Sequence, residues 1–328
     1  VVWRGRQPSV DREVAIKQIR AELASQPEFI RRFEAEAHLV ARIEHPHIVP
    51  LIDFWRDPDS AYLVMRWLRG GTLERRLDDG PLSVPETLVL AHQIGGALSA
   101  AHAHGVIHRD VKTGNILFDE AGHAFLGDFG IALEAAKSAG PEAALSPGSP
   151  AYSAPEQIRR EPLGPQADVF SLGVVLFECL TGSLPFAAMS ARDLVERQLN
   201  EPYPSLAELR SDVPASISDA VVRATAKDPS DRFVSVVEFL DALEPAAAEP
   251  SNIGLPLAGS RNCSGPTVLT ALKPSAPAST AARAISPMLA TLGESLGKSR
   301  ASEVRRIPRT YSATIRGAAP MLAPYPSA

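Results

Sequence analysis

Cysteine is nearly absent, with only Cys179 and Cys263 in 328 residues. Two thiols so far apart make neither a disulfide framework nor a metal-ligand spacing, and a reducing, cytoplasmic setting is the expectation. No uninterrupted apolar run approaches the ~18 residues that a membrane span requires, so no membrane segment is expected. A secretory leader pattern is missing as well. The chain has no strong charge excess: its net of −5 gives no general pull toward nucleic acid, which is not expected as a partner. Internal repeats are lacking. So is an initiator methionine: Val1 opens inside an apparent strand, and an incomplete N-terminus is expected.

Charge and composition change sharply near residue 245. Residues 251–328 carry nine Lys/Arg against two Asp/Glu, a net of +7, whereas the first 250 carry 24 against 36, a net of −12. Glu244-Pro245-Ala246-Ala247-Ala248-Glu249-Pro250 reads as a domain end. Beyond it, Pro, Ala, Ser and Gly dominate without periodicity, so residues 246–328 are expected to be a disordered basic tail or linker.

The first 245 residues divide by periodicity. Val1–Arg6 and Glu13–Ile19 alternate like two strands of a hairpin. Ser25-Gln26-Pro27-Glu28 has capping-box spacing, and Phe29, Phe33, Ala37 and Ala41 then repeat every fourth residue, the buried stripe of a helix. Ile48–Phe54 and Ala61–Trp67 read as strands. From Ser83-Val84-Pro85-Glu86, a second capping box, the pattern turns helical: one helix to about His104, a strongly apolar one over Asp168–Leu180, and amphipathic ones over Ser190–Leu199, Ser216–Ala226 and Ser235–Leu243. The fold class is therefore α+β, a small β-rich lobe over residues 1–68 and a larger α-helical lobe over 69–245. A cleft between two such lobes is the usual place for a ligand.

Chemistry-bearing residues occur in order along this frame. Val14-Ala15-Ile16-Lys17 places a lysine in an apolar strand. Alone it reads as a strand-end lysine reaching for water. Glu36, in mid-helix, is a carboxylate that could fix it. His108-Arg109-Asp110-Val111-Lys112-Thr113-Gly114-Asn115 packs too many polar groups together for a core segment. Phosphoryl transfer has a use for each of them. Asp110 accepts a hydroxyl proton, Asn115 reaches a metal ion, and Lys112 neutralises charge on the moving phosphoryl group. Asp128-Phe129-Gly130 lies beyond a hairpin pattern (Ile116–Phe118, turn at Glu120-Ala121-Gly122, Ala124–Leu126), which returns the Asp128 carboxylate toward Asn115. Both are oxygen ligands of the kind Mg²⁺ takes.

Together, Val14-Ala15-Ile16-Lys17, His108-Arg109-Asp110 with Asn115, Asp128-Phe129-Gly130 and Ala154-Pro155-Glu156 resemble the protein-kinase signature in order and spacing. Gly148 to Gln157 and Asp168-Val169-Phe170-Ser171-Leu172-Gly173 are similar to the peptide-positioning segment and anchoring helix of bacterial eukaryotic-like (Hanks-type) serine/threonine kinases. The resemblance covers residues 1–243. It implies ATP and Mg²⁺ as cofactors and protein Ser/Thr hydroxyls as substrates. Lys17 would pair with Glu36 and hold the α/β-phosphates, Asp110 would be the base, and Asn115 and Asp128 would bind the metal. Val2, Ala15 and Leu117 would sandwich adenine, with Met65 as gatekeeper and Arg66 to Leu68 as hinge. Glu156 would pair with Arg232, and Leu51, Val40, Phe129 and His108 would stack between the lobes. Ser149 replaces a commoner threonine, and Thr113 a commoner proline. Arg109 beside Asp110 implies control by a loop phosphate, with Ser146, then Ser138, as the sites. Homodimerisation through the small lobe is a family habit.

One departure stands out. The family's Gly-x-Gly-x-x-Gly-x-Val loop is absent: counting back from Lys17, Val2 falls at its final valine. Truncation explains this better than evolved loss, and weak nucleotide binding is expected of such a fragment. The missing loop is also the one feature favouring the alternative, a non-catalytic kinase-like binding module. Against that alternative, Lys17, Asp110 and Asp128 are all present.

Overall fold

The structure, a computed structural model, describes residues 1–19, 27–57, 60–129, 150–186, 190–244 and 312–313; the side chains of 27–32, 36, 57 and 312–313 lie outside that description. The expected capping box at Ser25 also lies outside it. Strands β1 (Val2–Gln7), β2 (Arg12–Ile19), β3 (Leu51–Asp57) and β4 (Ser60–Arg66) form an antiparallel sheet in the order β3-β4-β2-β1. A two-residue strand, Ser312–Ala313, continues it by pairing with Arg6 and Gly5. It is the only part of the expected tail that is described.

Register decides which side chains share a face. Val2 pairs with Lys17, which pairs with Leu63, and Ala15 pairs with Met65. Because alternate residues of a strand point the same way, Val2, Ala15, Lys17 and Met65 project from one face. The other face buries Val14, Ile16, Tyr62 and Val64 with Trp3 and Trp55 packed against them. Helix α1 (Pro27–Val40) buries Phe33 and Ala37 as their spacing predicts, and Val40 as well. It stops one residue before Ala41, which is exposed. Strand β3 begins at Leu51 rather than Ile48, because Val49 N–H donates to the Leu126 carbonyl (2.9 Å) and Leu126 N–H to that of His47 (2.8 Å). That exchange ties this segment to the second sheet, β5 (Ile116–Phe118) with β6 (Ala124–Leu126), whose bounds match the sequence pattern.

The helical part follows α2 (Leu73–Leu77) and comprises α3 (Val84–Ala103), α4 (Pro155–Arg159), α5 (Gln166–Thr181), α6 (Ala191–Asn200), α7 (Leu206–Leu209), α8 (Ala215–Ala224) and α9 (Val236–Leu243). Ser83 caps α3 reciprocally: its Oγ accepts from Glu86 N–H, while Glu86 Oε2 accepts from Ser83 N–H at 2.8 Å. Ser190 and Ser235 cap α6 and α9 through their hydroxyls. α5 is apolar all round and is buried over most of its length, between α3, α8 and α9. A Cβ on Gly173 would lie 2.9 Å from Thr225 Cγ2 and 3.1 Å from Ala224 Cβ, so only glycine lets α8 approach α5 this closely. Among the described residues, no helix is long and apolar enough to cross a membrane.

Candidate active site

The site is built by what holds its loop. His108–Asn115 has little regular structure, so its backbone groups need side-chain partners. Asp168, at the start of α5 and fully buried, supplies them: Oδ2 accepts from His108 N–H (2.8 Å) and Oδ1 from Arg109 N–H (2.9 Å). His102 of α3 reaches the same Oδ2 at 2.7 Å. The His108 ring is buried, which pushes its pKa below the usual histidine range despite the nearby carboxylates. Its neutral form fits the contacts made. Nδ1 accepts from Asp110 N–H (3.3 Å), and Nε2–H donates to the Gly127 carbonyl (2.9 Å). Arg109, at φ 68°, turns the chain so that Asp110 faces away from this anchor.

Asp110 is held from two sides. Lys112 Nζ lies 3.0 and 2.8 Å from its two carboxylate oxygens, and Asn115 Nδ2 donates to Oδ2 at 2.8 Å. With its amide nitrogen occupied, Asn115 has its oxygen left as the group to offer a cation. The Asn115 carbonyl accepts from Gly127 N–H (2.9 Å), so the open end of the β5–β6 hairpin brings Asn115 beside the neighbour of Asp128. Lys17 Nζ lies 2.9 Å from Asp128 Oδ2, with both side chains about a quarter exposed. Burial pushes the Asp128 carboxyl up, but the ammonium groups of Lys17 and Lys112 hold it below the usual carboxylate range. Asp128 sits at φ 55°, a left-handed conformation unusual for a non-glycine residue, and such strain is typical of functional sites.

Lys17, Asp110, Lys112, Asn115 and Asp128 are thus one linked group. Met65 and Leu117 pack around Val49, Leu68 and Phe125, bordering the same face of the small sheet that carries Val2 and Ala15. Arg66, the last residue of β4, has its N–H donating to the Pro50 carbonyl at 3.1 Å. Phe129 meets the His108 ring at 4.7 Å between centroids and shares a core with Val40, against which Leu51 packs. Glu156 and Arg232 form the expected pair, 2.7 and 2.8 Å across two buried contacts. The expected partner of Lys17, Glu36, has its side chain outside the described residues. Gly130, Ser138, Ser146 and Ser149 lie outside them too.

Residues 1–242 match the protein kinase domain family. The chain belongs to that family. Over 225 residues it is 39% identical to the serine/threonine-protein kinase PrkC of Bacillus subtilis, covering 68% of this chain and 35% of the relative. PknH of Mycobacterium tuberculosis is 37% identical over 238 residues, 72% of this chain and 38% of that protein. The chain thus spans little more than a third of these curated relatives. The crystal structure of the PknI kinase domain of Mycobacterium tuberculosis matches with a TM-score of 0.60 at 28% identity, covering 74% of this chain and 88% of that one. The kinase fold, with its sheet-based small lobe and helical large lobe, is accordingly that of this chain.

Two residues that hold the loop around Asp110 did not stand out individually in the sequence. Asp168 was visible only as part of a buried helix, although a carboxylate opening an apolar run was a usable signal. Tyr152 was visible only within the peptide-positioning segment. Its hydroxyl meets Thr113 Oγ1 at 2.8 Å and also bonds Glu178, a carboxyl that burial pushes above its usual range.

Proposed function

We propose that this domain transfers the γ-phosphate of Mg-ATP to serine and threonine hydroxyls of proteins. The carrying observation is that a lysine, a base flanked by a second lysine, and two metal-seeking oxygens from separate segments converge on one cleft face. Mg²⁺ takes hard oxygen ligands and keeps several for phosphate and water, so one carboxylate and one amide oxygen from the protein suffice. Asp128 and Asn115 would hold the ion, which would neutralise phosphate charge. Lys17 would orient the α/β-phosphates, and in the bound state it would exchange its contact with Asp128 for them. Val2, Ala15 and Leu117, with Met65, Arg66 and Leu68, would receive adenine.

Asp110 orients the substrate hydroxyl and takes its proton as the oxygen–phosphorus bond forms and the bond to the leaving ADP breaks. Lys112 lies close enough to Asp110 to stabilise the equatorial oxygens. The domain ends near residue 245, and control through a phosphate on Ser146, or secondarily Ser138, belongs to the same proposal. So does a cytoplasmic setting, supported by the free, buried thiol of Cys179. The proposal is tested by comparing Asp110→Asn with the wild type in γ-phosphate transfer to protein. A loss of about 10²–10⁴-fold in turnover is expected, with nucleotide affinity kept. Equal turnover would remove Asp110 from its role.

A further inference from the structure

The segment Pro150–Ser153, a 3₁₀ turn over Pro150–Tyr152 that leads into α4, has three consecutive carbonyls held by side chains rather than by a ladder. Ser171 Oγ of α5 donates to the Tyr152 carbonyl at 2.8 Å. The carbonyls on either side, of Ala151 and Ser153, both accept from Gln198 Nε2, at 3.1 and 3.0 Å. Gln198 belongs to α6, is fully buried, and is 45 and 47 residues away in sequence. Its remaining amide atom is also engaged, as Oε1 accepts from the Tyr203 hydroxyl at 3.0 Å. All of the amide's donors and its acceptor are therefore directed. The Gln198 main chain is fixed too. Its carbonyl accepts from Lys227 Nζ at 2.8 Å, and that ammonium lies 4.7, 5.4 and 5.8 Å from the ring centroids of Tyr203, Phe186 and Phe170.

The same segment and the helix it leads into are tied to the base-bearing loop. Tyr152 meets Thr113, and Gln157 Nε2 donates to the Arg109 carbonyl at 2.9 Å. A fixed amide on α6 thus sets the height of a segment that, directly through Tyr152 and through the adjoining α4, is bonded to both flanks of Asp110.

We infer that Gln198 is a positioning residue for the protein substrate, holding Ala151–Ser153 as a rigid platform that aligns the acceptor hydroxyl with Asp110. This rests on the kinase reading above. Gln198 touches neither nucleotide nor the reacting atoms, and it acts through the platform. Misplacement by about 1 Å at such a distance from the chemistry costs up to roughly 10²-fold in rate.

The experiment measures kcat and both KM values with ATP and the preferred peptide of a degenerate Ser/Thr library. Gln198→Leu keeps the volume and removes all three side-chain hydrogen bonds. It is expected to lower kcat/KM for peptide by about 10–100-fold with KM for ATP within twofold of wild type. Tyr203→Phe removes only the hydroxyl that orients the amide and keeps the aromatic surface. A loss of a few fold in the peptide term alone is expected, and this variant decides the matter if Gln198→Leu does not fold. An unchanged peptide term in either folded variant overturns the inference, as does an equal loss in the ATP and peptide terms, which marks a merely structural role. A wild-type chain that binds ATP but phosphorylates no peptide overturns the kinase reading, and this inference with it.

Discussion

Replacing Glu156 by alanine should destabilise the large lobe more than almost any other single exchange. Among the described residues Arg232 is the largest fully buried side chain, and its five N–H groups are all used. Nη1 donates to Glu156 Oε1 (2.7 Å) and to the Gln166 carbonyl (3.0 Å). Nη2 donates to Glu156 Oε2 (2.8 Å) and the Lys227 carbonyl (3.1 Å), and Nε to that of Ala226 (2.7 Å). The carboxylate is the one full negative charge in that set. Taking it away strands a guanidinium that cannot lose its proton, at a cost of about 3–5 kcal/mol. That is a large share of the roughly 5–15 kcal/mol by which a domain is stable. At about 2–4 °C per kcal/mol for a domain of this size, the melting temperature should fall by roughly 6–20 °C. Differential scanning fluorimetry and urea titration both read this. Glu156→Gln separates charge from hydrogen bonding, since it keeps an acceptor but no charge. It should recover only about 1 kcal/mol, the worth of one hydrogen bond. A Glu156→Gln protein as stable as wild type would refute the charge argument, and a shift below about 3 °C in Glu156→Ala would refute the burial argument as well.

Two further outcomes are expected. Ser83→Ala removes the reciprocal cap of α3 and should cost about 1 kcal/mol in urea unfolding, with the Asp110-dependent activity retained; an effect below about 0.3 kcal/mol would count against the cap. His108 should remain neutral, as the Nε2–H tautomer, at pH values where exposed histidines are charged. Its folded pKa lies below the unfolded one, so its contribution to stability is complete above about pH 6.5 and is lost as pH falls below that value, with proton uptake on unfolding. Nitrogen-15 shifts of the imidazole report the state directly, and an imidazolium signal for His108 in folded protein at pH 6 would contradict the assignment.

Much of the fold was legible residue by residue. Ser83, Ser190 and Ser235 cap the helices that their positions before apolar periods predict, and the hairpin of Ile116–Phe118 with Ala124–Leu126 has the bounds its turn residues mark. Such signals depend on neighbours a few positions apart, where the periods of 3.6 and 2 act. The membership of Lys17, Asp110, Asn115 and Asp128 in one site was legible too, because their order and spacing form a signature. Their partners were not. Lys17 contacts Asp128, 111 positions away, a contact no sequence pattern marked, while its expected partner Glu36 has its side chain outside the described residues. Asp168 holds a loop 59 and 60 residues upstream, and Gln198 reaches a platform 45 and 47 residues before it. Hydrogen-bond partners at such separations are chosen by how helices and loops come together in space. Sequence alone therefore settled which groups this protein possesses and which elements carry them, while tertiary structure decided which donor meets which acceptor, because that choice depends on distances of a few ångströms that no local pattern encodes.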